Sequence, residues 1–332
     1  MSERVFVTGA NGRIGVHLVR ELAESGHHVV GLARSKAKAS VVRQAGATEC
    51  LVGDMHDVEC LERGVQDATM IFHLAGGLRG AGKETADIVN HESAENLVAA
   101  IKARRPPLHS LLFTSTCAVY GNRDDLWLDE TVQTVPNTRY GKSKVAAEEV
   151  FQTEYQRFAL PIKIARVAAV YGEGFPLLMA DQIRSGTAKL PGEGTDSVPL
   201  IHVEDCVRAL RLIANEGENG GVYNVCDRSD TTYGQFYEEV ARLVGGTSPT
   251  FWSDIVPNQL QLFLARQYER VSSKAGKTPR VTPDMLKLFT NSTRMSSERL
   301  HQDLRFACRY PRFTDGLADV FGAPQSEHPR AL

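Results

Sequence analysis

Short apolar runs alternate with longer amphipathic stretches over the first half of the chain. The runs predict strands at 4–8, 28–33, 49–52, 70–75, 111–115 and 162–170, and the stretches predict helices at 12–25, 87–104 and 140–158. In the first of these helices Ile14, Leu18 and Leu22 recur at every fourth position and therefore share one face. Alternation of this kind predicts a doubly wound α/β fold, with helices on both faces of a parallel sheet.

The pattern loosens after residue 172, where glycines and prolines become frequent. Beyond that point the sequence predicts helices at 203–214 and 233–244, a strand at 222–225 and an irregular stretch at 250–292. We therefore expect a first domain at 1–172 and a smaller α+β lobe at 173–325 that is partly interleaved with the first sheet. Residues 326–332 are expected to form a tail.

The composition is that of an ordinary globular protein, with 332 residues of which 42% are hydrophobic and 23% charged. Its 38 basic and 40 acidic residues give a net charge of -2, so we expect neither nucleic acid nor a membrane as a partner. The six cysteines lack metal-like spacing, and no metal site is predicted. No leader pattern and no apolar run of roughly 20 residues is found, so we expect a cytoplasmic protein.

Three glycines stand directly after the first strand, at the start of the first helix, in Thr-Gly-Ala-Asn-Gly-Arg-Ile-Gly. Glycine permits a tight turn and lets a pyrophosphate approach the backbone, and the helix N-terminus offers free N–H groups. This context predicts that the first domain is a dinucleotide-binding Rossmann domain. Its predicted cofactor-binding residues are Gly9, Asn11, Gly12, Arg13, Ile14 and Gly15.

The end of the second strand distinguishes the two nicotinamide cofactors. An acidic residue there holds a ribose 2′-hydroxyl, whereas a basic residue suits a 2′-phosphate. Here the strand runs into Arg34 and Ser35, a guanidinium and a hydroxyl. This pair favours NADP(H), and NAD(H) stays open as the second option.

Two further segments are predicted to contact the cofactor. Asp54, followed by Met55, comes after the third strand, where a carboxylate can accept from the adenine amino group or cap a turn. Leu74, Ala75 and Gly76 close the fourth strand, where the backbone is expected to pass along the cofactor.

Tyr140 and Lys144 are four residues apart in Tyr-Gly-Lys-Ser-Lys and so share a helix face. An ammonium beside a phenol favours the phenolate, and we expect it to lower the pKa of Tyr140 from the usual value of about 10. Upstream, residues 113–121 read Phe-Thr-Ser-Thr-Cys-Ala-Val-Tyr-Gly, a strand that ends in hydroxyls.

With these motifs and with Ile-His-Val-Glu-Asp at 201–205, the chain resembles the extended short-chain dehydrogenase/reductase family, in its NAD-dependent epimerase/dehydratase branch. The resemblance implies that Thr116 hydrogen-bonds the substrate oxygen, with Ser115 as the alternative hydroxyl. It implies that Tyr140 shuttles the proton, and that Lys144 binds the nicotinamide ribose and tunes Tyr140. It also implies a homodimer formed through the helices at 87–104 and 140–158.

Two departures from the family pattern bear on the function. Cys117 and Ala118 follow Thr116 where dehydratases of this branch carry an Asp-Glu pair, and Ala169 stands where nucleotide-sugar epimerases often carry an asparagine. We therefore expect an NADP(H)-dependent oxidoreductase that interconverts a ketone and a secondary alcohol on a small-molecule substrate. The alternatives are an NAD-dependent nucleotide-sugar epimerase, which shares the same three residues, and a non-catalytic NADP-binding sensor.

Overall fold

The computed structural model describes residues 2–77, 86–175, 179–254, 256–274, 279 and 281–322. Its strands are β1 Arg4–Thr8, β2 His28–Ala33, β3 Glu49–Val52, β4 Met70–His73, β5 Ser110–Thr116, β6 Arg123–Leu128, β7 Ile162–Val167, β8 Ala169–Tyr171, β9 Lys189–Leu190, β10 Leu200–His202, β11 Val222–Val225, β12 Thr250–Phe251 and β13 Thr293–Met295. Its helices are α1 Arg13–Glu24, α2 Lys36–Gln44, α3 Val58–Val65, α4 Ala86–Arg104, α5 Arg139–Phe158, α6 Ala180–Arg184, α7 Val203–Glu216, α8 Tyr233–Val244, α9 Asn258–Lys274, α10 Pro283–Thr290, α11 Glu298–Leu304 and α12 Phe313–Phe321. The predicted tail at 326–332 lies outside the described residues.

Seven parallel strands form the main sheet, in the order β11-β7-β5-β4-β1-β2-β3. The chain order reverses between β1 and β4, because β2 and β3 extend the sheet to one side and the later strands extend it to the other. The predicted doubly wound α/β fold is confirmed. In such sheets ligands bind beyond the carboxyl ends of the strands, at the point of reversal.

Helices cover both faces of this sheet, so its central strands are apolar on both sides. Leu18 and Leu22 of α1 pack with Leu210 of α7 on one face. Leu97 of α4 and Phe151 of α5 pack on the other. This arrangement fixes the start of α1 and of α5 at the same edge of the sheet, where β1 and β5 end.

The C-terminal half returns to the main sheet, since β11 pairs with β7 at its edge. The run at 162–170, predicted as one strand, is divided into β7 and β8, because Ala168 donates to Val225 and Ala169 to Pro199. From there β8 pairs with β10 outside the main sheet. The stretch at 250–292, predicted as irregular, contains α9 and α10. The division into domains at residue 172 stays a prediction.

None of the helices in the described part of the chain is both long enough and apolar enough to cross a membrane. Likewise, within the ranges given above, no group of three or more His, Cys, Asp or Glu side chains is placed to hold a metal ion.

Candidate functional site

The three glycines of the first turn differ in what the fold requires of them. Gly9 has φ +68°, and a Cβ there would lie 2.7 Å from the backbone nitrogen of Ala75. A Cβ on Gly15 would lie 2.3 Å from the carbonyl oxygen of Gly9. Gly12, by contrast, has an ordinary φ of -69° and would meet only the Gly9 oxygen, at 3.0 Å. The fold therefore explains Gly9 and Gly15, and it does not by itself explain Gly12.

A cleft of about 300 Å³ opens at the point where the strand order reverses. Its lining includes the predicted residues Gly9, Asn11, Gly12, Arg34, Asp54, Met55, Leu74, Ala75 and Gly76, together with Leu32, Gly53, His56, Gly77 and Ser93, which the sequence analysis did not single out. Arg13, Ile14, Gly15, Ser35, Tyr140 and Lys144, which were also predicted to bind the cofactor, are not part of this lining. Gly53 and Gly77 are direct neighbours of predicted residues, so extending those segments by one residue would have found them.

The N-terminus of α1 faces this cleft with its own donors. Gly12 is the N-cap, no side chain caps the helix, and the first turn holds no acidic residue. The first N–H groups of a helix have no intrahelical acceptor and carry its positive dipole end. Backbone donors at Arg13 and Ile14 therefore suit a pyrophosphate, which is how these two residues can serve a dinucleotide without side-chain contact.

The residues predicted at the adenosine follow the carboxyl ends of β2 and β3. Arg34 is exposed, and its guanidinium has no hydrogen-bond or ion-pair partner within the described ranges. Ser35 is the N-cap of α2, where its hydroxyl accepts from the Lys38 N–H at 3.3 Å. Asp54 accepts from the His56 N–H at 2.9 Å, in a turn. Ser35 and Asp54 thus each have a local structural role, and their roles toward a cofactor stay predictions.

The predicted catalytic hydroxyl and phenol lie side by side. β5 ends at Thr116, and α5 begins just before Tyr140, where Thr138 caps the helix by accepting from the Gly141 N–H at 3.0 Å. The Thr116 side chain lies close enough to Tyr140 to act on the ionisation of the phenol. Burial raises the pKa of Tyr140 to about 12, although Thr116 opposes this shift. The expected lowering of that pKa is therefore wrong for this state of the protein, because desolvation of the phenolate dominates.

Lys144 is buried, with 4% of its surface exposed. Its Nζ donates to the carbonyl oxygen of Thr114 at 2.9 Å and lies 4.7 Å from the centre of the Phe113 ring. Burial lowers the pKa of Lys144 to about 8, and the charge of Glu148 opposes this. An ammonium carries three donors, and this one makes a single hydrogen bond among the described residues.

The amine of Lys144 packs against Gly76, which lines the cleft. A Cβ on Gly76 would come within 3.0 Å of Lys144 Nζ and 2.8 Å of Asn90 Oδ1. Asn90 in turn donates to Ser143 Oγ at 2.8 Å and accepts from the Gly77 N–H at 3.1 Å, which joins α5 to the loop after β4. The absence of a Cβ at Gly76 thus lets the Lys144 amine and the Asn90 side chain pack against this residue, and the role of Lys144 toward a nicotinamide ribose stays a prediction.

Ser115, the alternative hydroxyl, points elsewhere. It is 3% exposed and donates to Glu148 Oε1 at 2.5 Å. Successive residues of a strand face opposite sides of a sheet, so Ser115 and Thr116 cannot both reach Tyr140. The structure brings Thr116 to Tyr140 and leaves Ser115 beneath α5.

Residues 5–226 match the model of the NAD-dependent epimerase/dehydratase family. The chain belongs to that family. Among curated relatives, the N-acetyl-alpha-D-glucosaminyl-diphospho-ditrans,octacis-undecaprenol 4-epimerase of Escherichia coli O157:H7 is 25% identical over 310 residues, which cover 91% of this chain and 89% of that protein.

Solved structures of other proteins share the fold. The dTDP-glucose 4,6-dehydratase of Bacillus anthracis, in complex with NAD, has a TM-score of 0.76 at 20% identity and covers 96% of each chain. The UDP-glucuronic acid 4-epimerase of Bacillus cereus, in complex with UDP-glucuronic acid and NAD, has the same TM-score and identity over 96% of this chain and 98% of its own.

This member of the epimerase/dehydratase family is an enzyme of the extended short-chain dehydrogenase/reductase type, as the motifs predicted. The relatives support the epimerase alternative better than the ketone–alcohol oxidoreductase that the sequence analysis preferred. The family is NAD-dependent, and the preference of this chain for NADP(H) over NAD(H) stays a prediction.

Proposed function

We propose that this enzyme is an NAD-dependent epimerase of a nucleotide-linked sugar. An enzyme of this kind oxidises a secondary alcohol of the sugar to a ketone and reduces the ketone again from its other face. The observation that carries the proposal is the proximity of Thr116 to Tyr140, with Lys144 one helical turn beyond Tyr140 and its amine packed against Gly76 of the cleft lining.

Each residue of the set has a separate task in this proposal. The N-terminus of α1 and Lys144 hold the dinucleotide, and the bound nicotinamide supplies the acceptor of the two electrons. Thr116 hydrogen-bonds the substrate oxygen and fixes its position next to the phenol. Tyr140 takes the proton of the substrate hydroxyl in one direction and returns it in the other. With a pKa of about 12, Tyr140 is a protonated donor at neutral pH, and proton removal requires positive charge nearby to favour the phenolate.

The residues beside the catalytic set argue against dehydration. A dehydratase needs an acid and a base next to the hydroxyl, and Ala118 can provide neither. Burial raises the pKa of the Cys117 thiol to about 11, so a thiolate base is scarce at neutral pH.

A second candidate, an NADP(H)-dependent ketone reductase, is favoured by one observation. The unpaired guanidinium of Arg34 lines the adenosine end of the cleft, where it could hold a 2′-phosphate. The first experiment is therefore to denature the purified protein and identify the nucleotide that it releases. Tightly held NAD supports the epimerase, which restores its own cofactor in each cycle. Protein that retains no nucleotide and binds NADPH far better than NADH would contradict it and support the reductase.

Tyr140→Phe tests the catalytic set directly. We expect turnover of UDP- or dTDP-hexoses to fall by about 10²- to 10⁴-fold, because the proton-transfer group is lost. Dinucleotide affinity should change little. Tyr155→Phe, on the same helix, is the matched control and should keep full turnover. Unchanged turnover in Tyr140→Phe would overturn the assignment.

Two further expectations belong to the proposal. Residues 173–325 contribute the substrate lobe, and two copies of the chain pair through α4 and α5. The two helices pack side by side, and their outer surfaces form a groove of about 460 Å³ whose lining includes Glu95, Ala99, Ala146 and Thr153. Small side chains at Ala99 and Ala146 allow close approach of a second helix pair.

A further inference from the structure

A buried ion pair between Glu148 and Arg166 lies one helical turn beyond the predicted catalytic lysine. Glu148 follows Lys144 by one turn of α5, and it is 6% exposed. Its carboxylate accepts from Arg166 Nε at 3.2 Å and from the second guanidinium branch at 2.8 Å. Ser115 donates to the same carboxylate at 2.5 Å. Because Ser115 and Arg166 are register partners on β5 and β7, the sheet itself positions both donors.

Arg166 is also held from its other side. Its Nη1 atom donates to the Tyr120 hydroxyl at 3.0 Å. The guanidinium carbon lies 5.1 Å from the centre of the Tyr120 ring. Tyr120 donates in turn to Asn224 Oδ1 at 2.8 Å, on β11. The ion pair is therefore fixed by hydrogen bonds from β5, β11 and the turn after β5.

A requirement for stability does not account for such a pair. Replacing a buried ion pair by apolar residues of similar size is often neutral or stabilising, because desolvation of the two charges offsets their attraction. A fully hydrogen-bonded pair next to a buried amine therefore calls for another explanation.

The surroundings of Lys144 supply that explanation. The groups that act on its amine are Glu148 on α5 and the neutral carbonyl of Thr114 on β5, and Asn90 on α4 packs beside it against Gly76. His73 on β4 also acts on Lys144, but burial lowers its pKa to about 3, so it is uncharged. Glu148 is thus the negative charge that opposes neutralisation of the buried amine, and Arg166 shares that charge.

We infer that Glu148, aligned by Ser115 and Arg166, is a positioning residue that keeps the Lys144 ammonium charged and fixed one helical turn from Tyr140. This inference rests on the proposed function, in which Lys144 serves Tyr140 and the dinucleotide. Glu148 touches neither the substrate nor the cofactor in this scheme, and it acts through Lys144 alone.

Substitution of Glu148 and substitution of Arg166 should shift the pKa of Lys144 in opposite directions. This difference distinguishes an electrostatic role of the pair from a merely structural one. Glu148→Gln removes the negative charge, so Lys144 should lose its proton at a lower pH than in the wild type. Arg166→Met removes the cation that shares this charge, so Lys144 should keep its proton to a higher pH. Loss of structural support alone would shift both variants in the same direction or shift neither.

The measurement is an NMR titration of protein labelled with ¹³C at lysine Cε, with the Lys144 signal assigned as the one missing in Lys144→Arg. Lys163 is the internal control, because it is also buried and its Nζ bonds Ser110 Oγ at 3.1 Å, away from the pair. We expect the Lys144 midpoint to move by at least about half a pH unit in each direction, roughly a threefold change in the protonation equilibrium. The Lys163 midpoint should not change.

A Lys144 midpoint that is unchanged or higher in Glu148→Gln would overturn the inference, as would a shift of both variants in one direction. If Glu148→Gln does not fold, the double replacement of Glu148 and Arg166 by Met is compared with Arg166→Met alone, and the Lys144 midpoint should be lower in the double variant. The affinity for NADH is measured alongside in Lys144→Met. Wild-type affinity in that variant would refute the proposed role of Lys144, and so the proposed function, without changing the titration result.

Discussion

Substitution of Gly12 by Ala tests whether this glycine is required by the fold or by a bound ligand. Gly12 is exposed, has φ -69° and ψ 166°, and offers space for a Cβ apart from one contact of 3.0 Å with the Gly9 oxygen. Ala adopts this backbone conformation without strain. The new methyl group would instead project into the space in front of α1, where we expect the pyrophosphate.

The expected changes in stability and in dinucleotide affinity follow from the backbone conformation of Gly12 and from its position in front of α1. Gly-to-Ala replacement at a compatible backbone conformation stabilises a protein by about 0.4–1 kcal/mol through its unfolded state, and the single 3.0 Å contact offsets part of this gain. Stability should therefore be unchanged or slightly higher. A hydrogen bond to a charged group contributes about 1.5–3 kcal/mol. Displacing the pyrophosphate from one backbone N–H group should then weaken dinucleotide binding by about 10- to 150-fold.

Thermal unfolding and an NADH fluorescence titration of the same samples test both halves of the prediction. Gly15→Ala is the first control and should lose stability, because its Cβ would lie 2.3 Å from the Gly9 oxygen. Gly26→Ala is the second, with φ +80° and open surroundings, and should cost about 1–2 kcal/mol without affecting affinity. Wild-type NADH affinity in Gly12→Ala, or a loss of stability as large as that of Gly15→Ala, would refute the reasoning.

Three other predictions test the cofactor, a buried carboxyl and the assembly. Arg34→Gln should weaken NADPH binding by about tenfold or more while leaving NADH binding unchanged, if the guanidinium holds a 2′-phosphate; an equal loss for both nucleotides, measured by fluorescence titration, would contradict this. Burial raises the pKa of Asp227 from 3.8 to about 7, so the carboxyl contributes stability that is fully present below pH 3.8 and is lost as pH rises through about 7. Asp227→Asn should accordingly raise the unfolding temperature relative to wild type at pH 8, and a difference that is the same at pH 4.5 would contradict the assignment. Ala99→Arg should convert dimers to monomers in sedimentation velocity, and an unchanged sedimentation coefficient would argue against α4 and α5 as the interface.

Much of the sheet could be predicted from local pattern alone. β1, β2, β3 and β11 begin and end at the predicted residues. Strands of a parallel sheet are buried on both faces and therefore read as short, uninterrupted apolar runs bounded by polar residues. The same property explains the error at 162–170, where an apolar run continues through two strands. The division at Ala168 depends on Val225 and Pro199, and neither can be inferred from that segment.

The helices between 250 and 292 were missed for a different reason. α9 carries Leu260, Phe263 and Val271 on its exposed surface, so its apolar positions do not mark a single buried face with helical periodicity. α10 did have a local signal, since Thr282 caps the helix and Pro283 occupies its first turn. These two residues predict the start of α10, whereas α9 depends on tertiary contacts.

Some properties of the candidate site can be predicted from local sequence spacing, and others depend on tertiary contacts. Tyr140 and Lys144 follow from helical spacing, but the direction of the pKa shift at Tyr140 is set by burial, which no spacing reveals. The protonation of Lys144 depends on Glu148, whose charge is shared with Arg166 on another strand. A Thr–Tyr–Lys motif therefore identifies where a proton moves without fixing the pH at which it moves. It follows that the acid–base properties of such a site must be derived from the buried groups packed beneath the motif, and that substitutions there can alter the reaction while the motif stays intact.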